Sequence, residues 1–324
     1  MKKIFICFLL LITLQKSKAQ IFSLQQQNAN APFMARDGAA LVKYNNALYL
    51  IGGWNPIVIS YPHYVNDFWM STDEGKTWTQ LADAPFTPRH THGAGVLNNK
   101  LYVWGGDGTT DVWYYDAVTN PETPTWTRVT ADWGPGLGGR NQFVSTIHNG
   151  YIYVGLGEDK EHSNFFRSQD GLNWTLIGDT LLFDDLMGRG RASMISLNGA
   201  LYIVGGGQFK GGGIPHTLYS TVWKSADDGV TWKKIVTKND RLKTLWGNLA
   251  VMDGYMFFIR GSNENGSNTK GILYSSDGFT WKELNYAIFP RHATSVWGEG
   301  NTIYIAAGNL HNDTYTITKI ADDY

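Results

Sequence analysis

The chain of 324 residues holds a single cysteine, Cys7. That scarcity excludes a disulfide framework and any centre built from several thiolates, such as structural zinc or an iron–sulfur cluster. Charge is sparse too. Charged residues make up 17% of the chain, against about 25% in an ordinary soluble protein. The formal net charge of −1 lacks the basic excess of a nucleic-acid-binding surface, so no nucleic acid is expected as a partner. Phosphate-binding signatures are missing: Gly134-Pro-Gly-Leu-Gly-Gly139 has no Lys-Ser/Thr after it and no βαβ unit around it. No Gly-x-Ser-x-Gly elbow of a serine hydrolase occurs either. What the chain does have is 37 glycines and 14% aromatic residues, a composition too apolar for a disordered polypeptide.

Residues 1–19 read as a secretory signal. Lys2-Lys3 precede the apolar run Ile4 to Leu14, which is shorter than a membrane span of ~20 residues, and Ser17-Lys18-Ala19 supplies small residues for cleavage before Gln20. The chain is therefore expected to be exported, periplasmic or extracellular, with no membrane span in the mature part. Losing the leader removes Cys7 and four lysines, leaving 23 basic against 28 acidic residues.

From residue 36 onward one unit recurs six times. Each unit has a second strand ending in glycine: Leu48-Tyr-Leu-Ile-Gly-Gly53, Leu101-Tyr-Val-Trp-Gly-Gly106, Tyr151-Ile-Tyr-Val-Gly-Leu-Gly157, Leu201-Tyr-Ile-Val-Gly-Gly206, Tyr255-Met-Phe-Phe-Ile-Arg-Gly261 and Ile303-Tyr-Ile-Ala-Ala-Gly308. The aligned aromatics Tyr49, Tyr102, Tyr153, Tyr202, Phe257 and Tyr304 follow one another at about 50 residues, the period of kelch-length propeller blades. A second pattern closes four units: Ser71-Thr-Asp-Glu-Gly-Lys-Thr-Trp78, Ser168-Gln-Asp-Gly-Leu-Asn-Trp174, Ser225-Ala-Asp-Asp-Gly-Val-Thr-Trp232 and Ser275-Ser-Asp-Gly-Phe-Thr-Trp281. Asp can bond nearby amides and Gly accepts positive φ, so these are turns between strands, and their aspartates read as structural.

The glycine-ended strands resemble kelch repeats, and the Ser-x-Asp turns resemble the Asp-boxes of sialidases and other propellers. The resemblance implies an all-β, six-bladed β-propeller of four-stranded antiparallel blades, with residues 20–324 as one domain. Ile21-Phe-Ser-Leu-Gln25, followed by Ala31-Pro-Phe-Met-Ala-Arg36, matches Trp78-Thr-Gln-Leu81 followed by Ala84-Pro-Phe-Thr-Pro-Arg89. The amino-terminal segment is therefore expected to complete the last blade by pairing with residues 313–320.

Two sets of residues are candidates for a site along the propeller axis. The first is Arg36, Arg89, Arg140, Arg189 and Arg291, each thirteen residues before its aligned aromatic, with Thr244 in the fifth unit. These arginines either ring the channel mouth as an anion site, which the planar guanidinium fork suits, or bond backbone between blades. The second set follows each glycine-ended strand: Trp54, Asn55, Asp107, Glu158, Asp159, Gln208, Asn263, Glu264, Asn309 and His311. Carboxylates, amides and Trp facing arginines suit a polyhydroxylated acidic sugar, and the same residues also read as ordinary solvated loop groups. His90 and His92 read as two ligands on one strand face, but no third supports a metal, and no cofactor is expected.

Resemblance to known propellers also bears on chemistry. Galactose-oxidase-type copper enzymes need a Cys–Tyr crosslink, which the mature chain cannot form. Sialidases carry a Phe/Tyr-Arg-Ile-Pro motif, to which Phe289-Pro290-Arg291 is a poor match. The periplasmic N-acetylneuraminate mutarotases are similar in architecture, a likeness of fold and not of matched residues. Mutarotation needs a general acid and base with arginines for the carboxylate, roles open in this chain to Glu158 or Glu264 with Arg140 or Arg189. The first expectation is binding of an acidic sugar or glycan at an arginine-lined face. The alternatives are an enzyme on the same ligand, mutarotase before exo-glycosidase, and a scaffold for a protein partner.

Overall fold

Second strands read as unbroken apolar runs because both their faces are covered. In a computed structural model, residues 20–322 are described apart from 58–59, 62, 120, 135, 159–161, 179–184, 212 and 286–287, with backbone alone at 20–21 and 321–322. Residues 1–19 and Asp159 thus lie outside the described residues. The strands are β1 (Gln20–Asn28); β2 (Ala40–Tyr44), β3 (Ala47–Trp54), β4 (Tyr64–Ser71) and β5 (Thr79–Gln80); and β6 (Gly93–Leu97), β7 (Lys100–Trp104), β8 (Val112–Asp116) and β9 (Thr125–Thr130). They continue with β10 (Val144–His148), β11 (Tyr151–Gly155), β12 (Phe165–Ser168) and β13 (Thr175–Ile177), then β14 (Gly190–Leu197), β15 (Ala200–Gln208), β16 (Thr217–Leu218), β17 (Val222–Ser225) and β18 (Lys233–Ile235). The last are β19 (Asn248–Met252), β20 (Tyr255–Ile259), β21 (Ile272–Ser275) and β22 (Lys282–Glu283), followed by β23 (Ser295–Glu299), β24 (Thr302–Ala306) and β25 (Thr314–Asp322).

These strands form six antiparallel sheets, and the six-bladed propeller expected from the repeats is the fold. Blade four carries β16 as an extra ribbon on β15. The sixth sheet runs β1-β25-β24-β23, with Gln20 opposite Asp322 and Asn28 opposite Thr314. The amino-terminal strand therefore closes the ring, as its sequence implied.

Six apolar clusters fill the six blade interfaces. Tyr49, Ile51 and Phe68 of blade one pack on Leu101, Val103 and Tyr115 of blade two. Across the closing seam, Leu41, Leu50 and Trp69 pack on Tyr304 and Ala306. The Asp-boxes are hairpin turns. Ser71 Oγ donates to Asp73 and accepts the Gly75 amide, Asp73 accepts the Thr77 amide and hydroxyl, and Trp78 Nε1 donates to the Gly75 carbonyl at 3.1 Å. The serine-to-aspartate bond and the backbone amide bond to the aspartate recur around Asp170, Asp227 and Asp277.

Candidate functional site

The repeat arginines do not line the channel. Arg36, Arg89, Arg140, Arg189 and Arg291 are buried, at 0–1% exposure. Each guanidinium closes its own blade. Arg36, Arg89 and Arg291 fork onto Asp67, Asp111 and Asp313. Arg140 meets Asn164 and carbonyls of its blade instead, and Arg189 meets Thr221. Each also takes the carbonyl sixteen residues on, at Gly52, Gly105, Leu156, Gly205 or Ala307. These five carbonyl residues are all left-handed, with φ between 56° and 69°, which turns the carbonyl toward the guanidinium and explains why glycine is favoured there. In blade five both partners are replaced, by Thr244 and Gly271. The expectation of an arginine-lined anion site is thereby corrected: a buried, forked guanidinium with its hydrogens committed has nothing left for a ligand.

The channel mouth is built two residues further along each unit. Gly38, Thr91, Gln142, Arg191, Trp246 and Ala293 all have left-handed backbones, φ 47–58°. Side chains rarely adopt that region, and such strain collects at functional sites. The backbone amides join five of the six neighbouring pairs into a belt: Thr91 to Gly38 (2.7 Å), Arg191 to Gln142 (3.1 Å), Trp246 to Arg191 (3.0 Å), Ala293 to Trp246 (2.8 Å) and Gly38 to Ala293 (3.0 Å). All six residues line the axial cavity of about 490 Å3, a size suited to a small ligand.

The belt is lopsided. Gly38 and Ala293 leave one half of the mouth open, whereas Gln142, Arg191 and Trp246 crowd the other. Trp246 Nε1 donates to Gln142 Oε1 at 2.9 Å. Arg191 lies between the rings of Phe209 and Trp246, at 4.2 and 4.8 Å from their centroids. His216 stacks on Phe209 at 4.4 Å, and His292 lies 5.2 Å from Trp246. Arg191 pairs with the half-exposed Glu158. Burial pushes the Arg191 guanidinium down to about 10, so it stays charged at neutral pH, and its Nε is buried with no hydrogen-bond partner. Arg191 lines a second cavity as well, of about 440 Å3, together with Glu158, Gly188, Gln208 and Phe209.

The remaining candidates are dispersed. Asn55 is buried and braces the Ala35 carbonyl and the Ile57 amide. Glu264 is exposed, and its carbonyl accepts the His216 amide. Asn309 sits half-buried at φ 44°. Trp54 and Asp107 share an aromatic corner with Tyr64 and His90. His90 and His92 do not lie on a strand, contrary to expectation. They precede β6 and flank the left-handed Thr91, so their rings diverge, and no metal-binding group of three is found among the described residues. Arg191, Gln142, Trp246 and Phe209 were not singled out from the sequence. The available signal was Arg189-Gly190-Arg191, a second arginine where other units have a small or neutral residue.

No protein-family model matches the chain. The N-acetylneuraminate epimerase of Pasteurella multocida is 28% identical over 208 residues, covering 51% of this chain and 52% of that protein. Beta-scruin of Limulus polyphemus is 27% identical over 202 residues, 57% of this chain and 20% of that one. The N-acetylneuraminate epimerase of Escherichia coli K12 is 32% identical over 94 residues, 28% of this chain and 25% of that one. The chain thus spans about half the length of the Pasteurella protein and less of the others. The chain is a six-bladed β-propeller, and its repeat pattern and these relatives are consistent with a kelch-type family.

Proposed function

We propose that the protein is an exported binder of an acidic sugar, holding the ligand's carboxylate at Arg191 in the channel mouth. The observation that carries this is Arg191 itself, a largely desolvated guanidinium shared by two cavities, with an uncommitted Nε. A carboxylate there would displace Glu158 and take the fork in low dielectric, where a bidentate pair is strong. The names of the epimerase relatives support a sialic-acid-like ligand. Titration of the protein with N-acetylneuraminate tests the proposal. Arg191→Ala should weaken binding by about tenfold or more without lowering the melting temperature, and unchanged affinity would sink it.

A mutarotase is the second reading, favoured by Glu158 standing against the same arginine. Mutarotation moves one proton from the anomeric hydroxyl to the ring oxygen as the ring C–O bond opens, and returns it on closure. In this reading Glu158 carries that proton. NMR of freshly dissolved crystalline N-acetylneuraminate decides between the readings: an anomerisation rate unchanged by the protein leaves a binder.

A further inference from the structure

Beside the open half of the mouth, next to Gly38, a second group of side chains is assembled that the Arg191 site does not use. Gly38 and Arg191 are three places apart in a belt of six, so they face each other across the mouth. Over Gly38 lies the His90 imidazole; a Cβ at that glycine would stand 2.9 Å from His90 Cδ2. His90 stacks on Tyr64, with centroids 5.0 Å apart and planes at 21°, and Trp54 lies 6.3 Å away at 30°. Asp107 fixes this corner. Its carboxylate accepts the His90 backbone amide, takes the Tyr64 phenol and approaches His90 Nδ1 to 2.6 Å. All four side chains are half-buried, and the His90 ring, lying over Gly38, joins the corner to the mouth.

We propose that this corner is a second sugar subsite, which takes a neutral pyranose glycosidically joined to the acidic sugar held at Arg191. Ring faces offer the apolar surface against which the C–H face of a pyranose packs, and Asp107, Tyr64 and His90 offer edges to its hydroxyls. The charge around the corner selects a neutral ring. Asp107 is the carboxylate of the corner, Asp37 beside it is buried and paired with His292, and the neighbouring cations Arg36 and Arg89 are buried on Asp67 and Asp111. A second anion would meet repulsion there without compensation. Between the subsites, Gly38 and Ala293 raise nothing larger than a methyl to block a ligand from spanning the mouth. The inference rests on the acidic-sugar reading and specifies its ligand as a glycan end.

The test compares free N-acetylneuraminate with 3′-sialyllactose by calorimetry on the mature chain. Sialyllactose should bind about tenfold tighter. Trp54→Ala should remove that difference and leave the free sugar's affinity within about twofold. Trp54→Phe, which keeps a ring face, should retain most of the gain and controls for misfolding. Equal affinities in the unaltered protein, or a Trp54→Ala variant weakened alike for both ligands, would overturn the inference while leaving the Arg191 site standing. If neither ligand binds, the acidic-sugar reading fails and takes this one with it.

Discussion

Asp111 and Asp313 show how one buried pair can define a repeat. Burial opposes their ionisation, but hydrogen bonds from Arg89 and Trp113 at Asp111, and from Arg291 and Tyr315 at Asp313, outweigh it and hold both carboxyls below the usual range. The Asp-box aspartates are lowered as well. At Asp170 burial again works against ionisation, yet bonds from Asn173, Leu172 and Ser168 bring it to about 2. The unfolded value is about 3.9. A carboxyl depressed on folding stabilises the protein above the unfolded value and loses that contribution as pH falls through the folded one. The melting temperature should therefore be flat down to about pH 5 and drop steeply between about pH 4 and pH 2. A melt indifferent to that window would show that these bonds contribute nothing. The arginines were legible because a fixed spacing repeats. Their role was not, because the partner stands on the third strand, in pairs such as Asp67 before Phe68-Trp69 and Asp111 before Val112-Trp113. Reading Thr244 against Gly271 would have revealed it, since the two members are lost together.

At the scale of the element, the glycine-ended strand is a pivot between neighbouring blades. Gly52 offers its carbonyl to Arg36 of its own blade, while the Gly53 amide reaches the carbonyl of Arg89 in the next, at 2.9 Å. Gly206 to Thr244 and Gly308 to Arg36 repeat the link at 2.8 and 2.9 Å. A side chain at Gly52 would be left-handed, at φ 63°, and its Cβ would stand 2.7 Å from the Arg89 carbonyl oxygen. Gly52→Ala should cost about 2–3 kcal/mol of stability. Gly150→Ala, left-handed at φ 76° but with nothing within 4 Å, should cost about 1 kcal/mol. Chemical denaturation measures both, and equal losses would show that strain alone, and not the interblade contact, sets the cost. The sequence displayed these pivots as Gly-Gly. It concealed the belt at the mouth, because Gly, Thr, Gln, Arg, Trp and Ala share no identity. Their common conformation is imposed by the hydrogen bonds between blades, so sequence periodicity alone could not flag Arg191.

For the whole molecule, the fold was legible almost entire, since each unit repeats both its strand pattern and its turn, and the closing strand copies the outer strand of another blade. The proposed cleavage after Ala19 would leave Gln20, within the closing strand β1, at the amino terminus. Cleavage there would keep the closing strand intact, and cleavage a few residues later would erode it. Mass spectrometry of the protein recovered from its expressing cells should find Gln20 at its amino terminus; a start at Met1 or beyond Phe22 would contradict the proposed export and processing.

Closure of the ring by β1 also sets an order of events during synthesis. The strand that leaves the ribosome first has no partner until β25, the last, has been made. Until then the sixth sheet lacks its two outer strands, and the seam rests on contacts such as Leu41, Leu50 and Trp69 against Tyr304 and Ala306. A product truncated by a whole blade would have neither a closed ring nor a complete mouth.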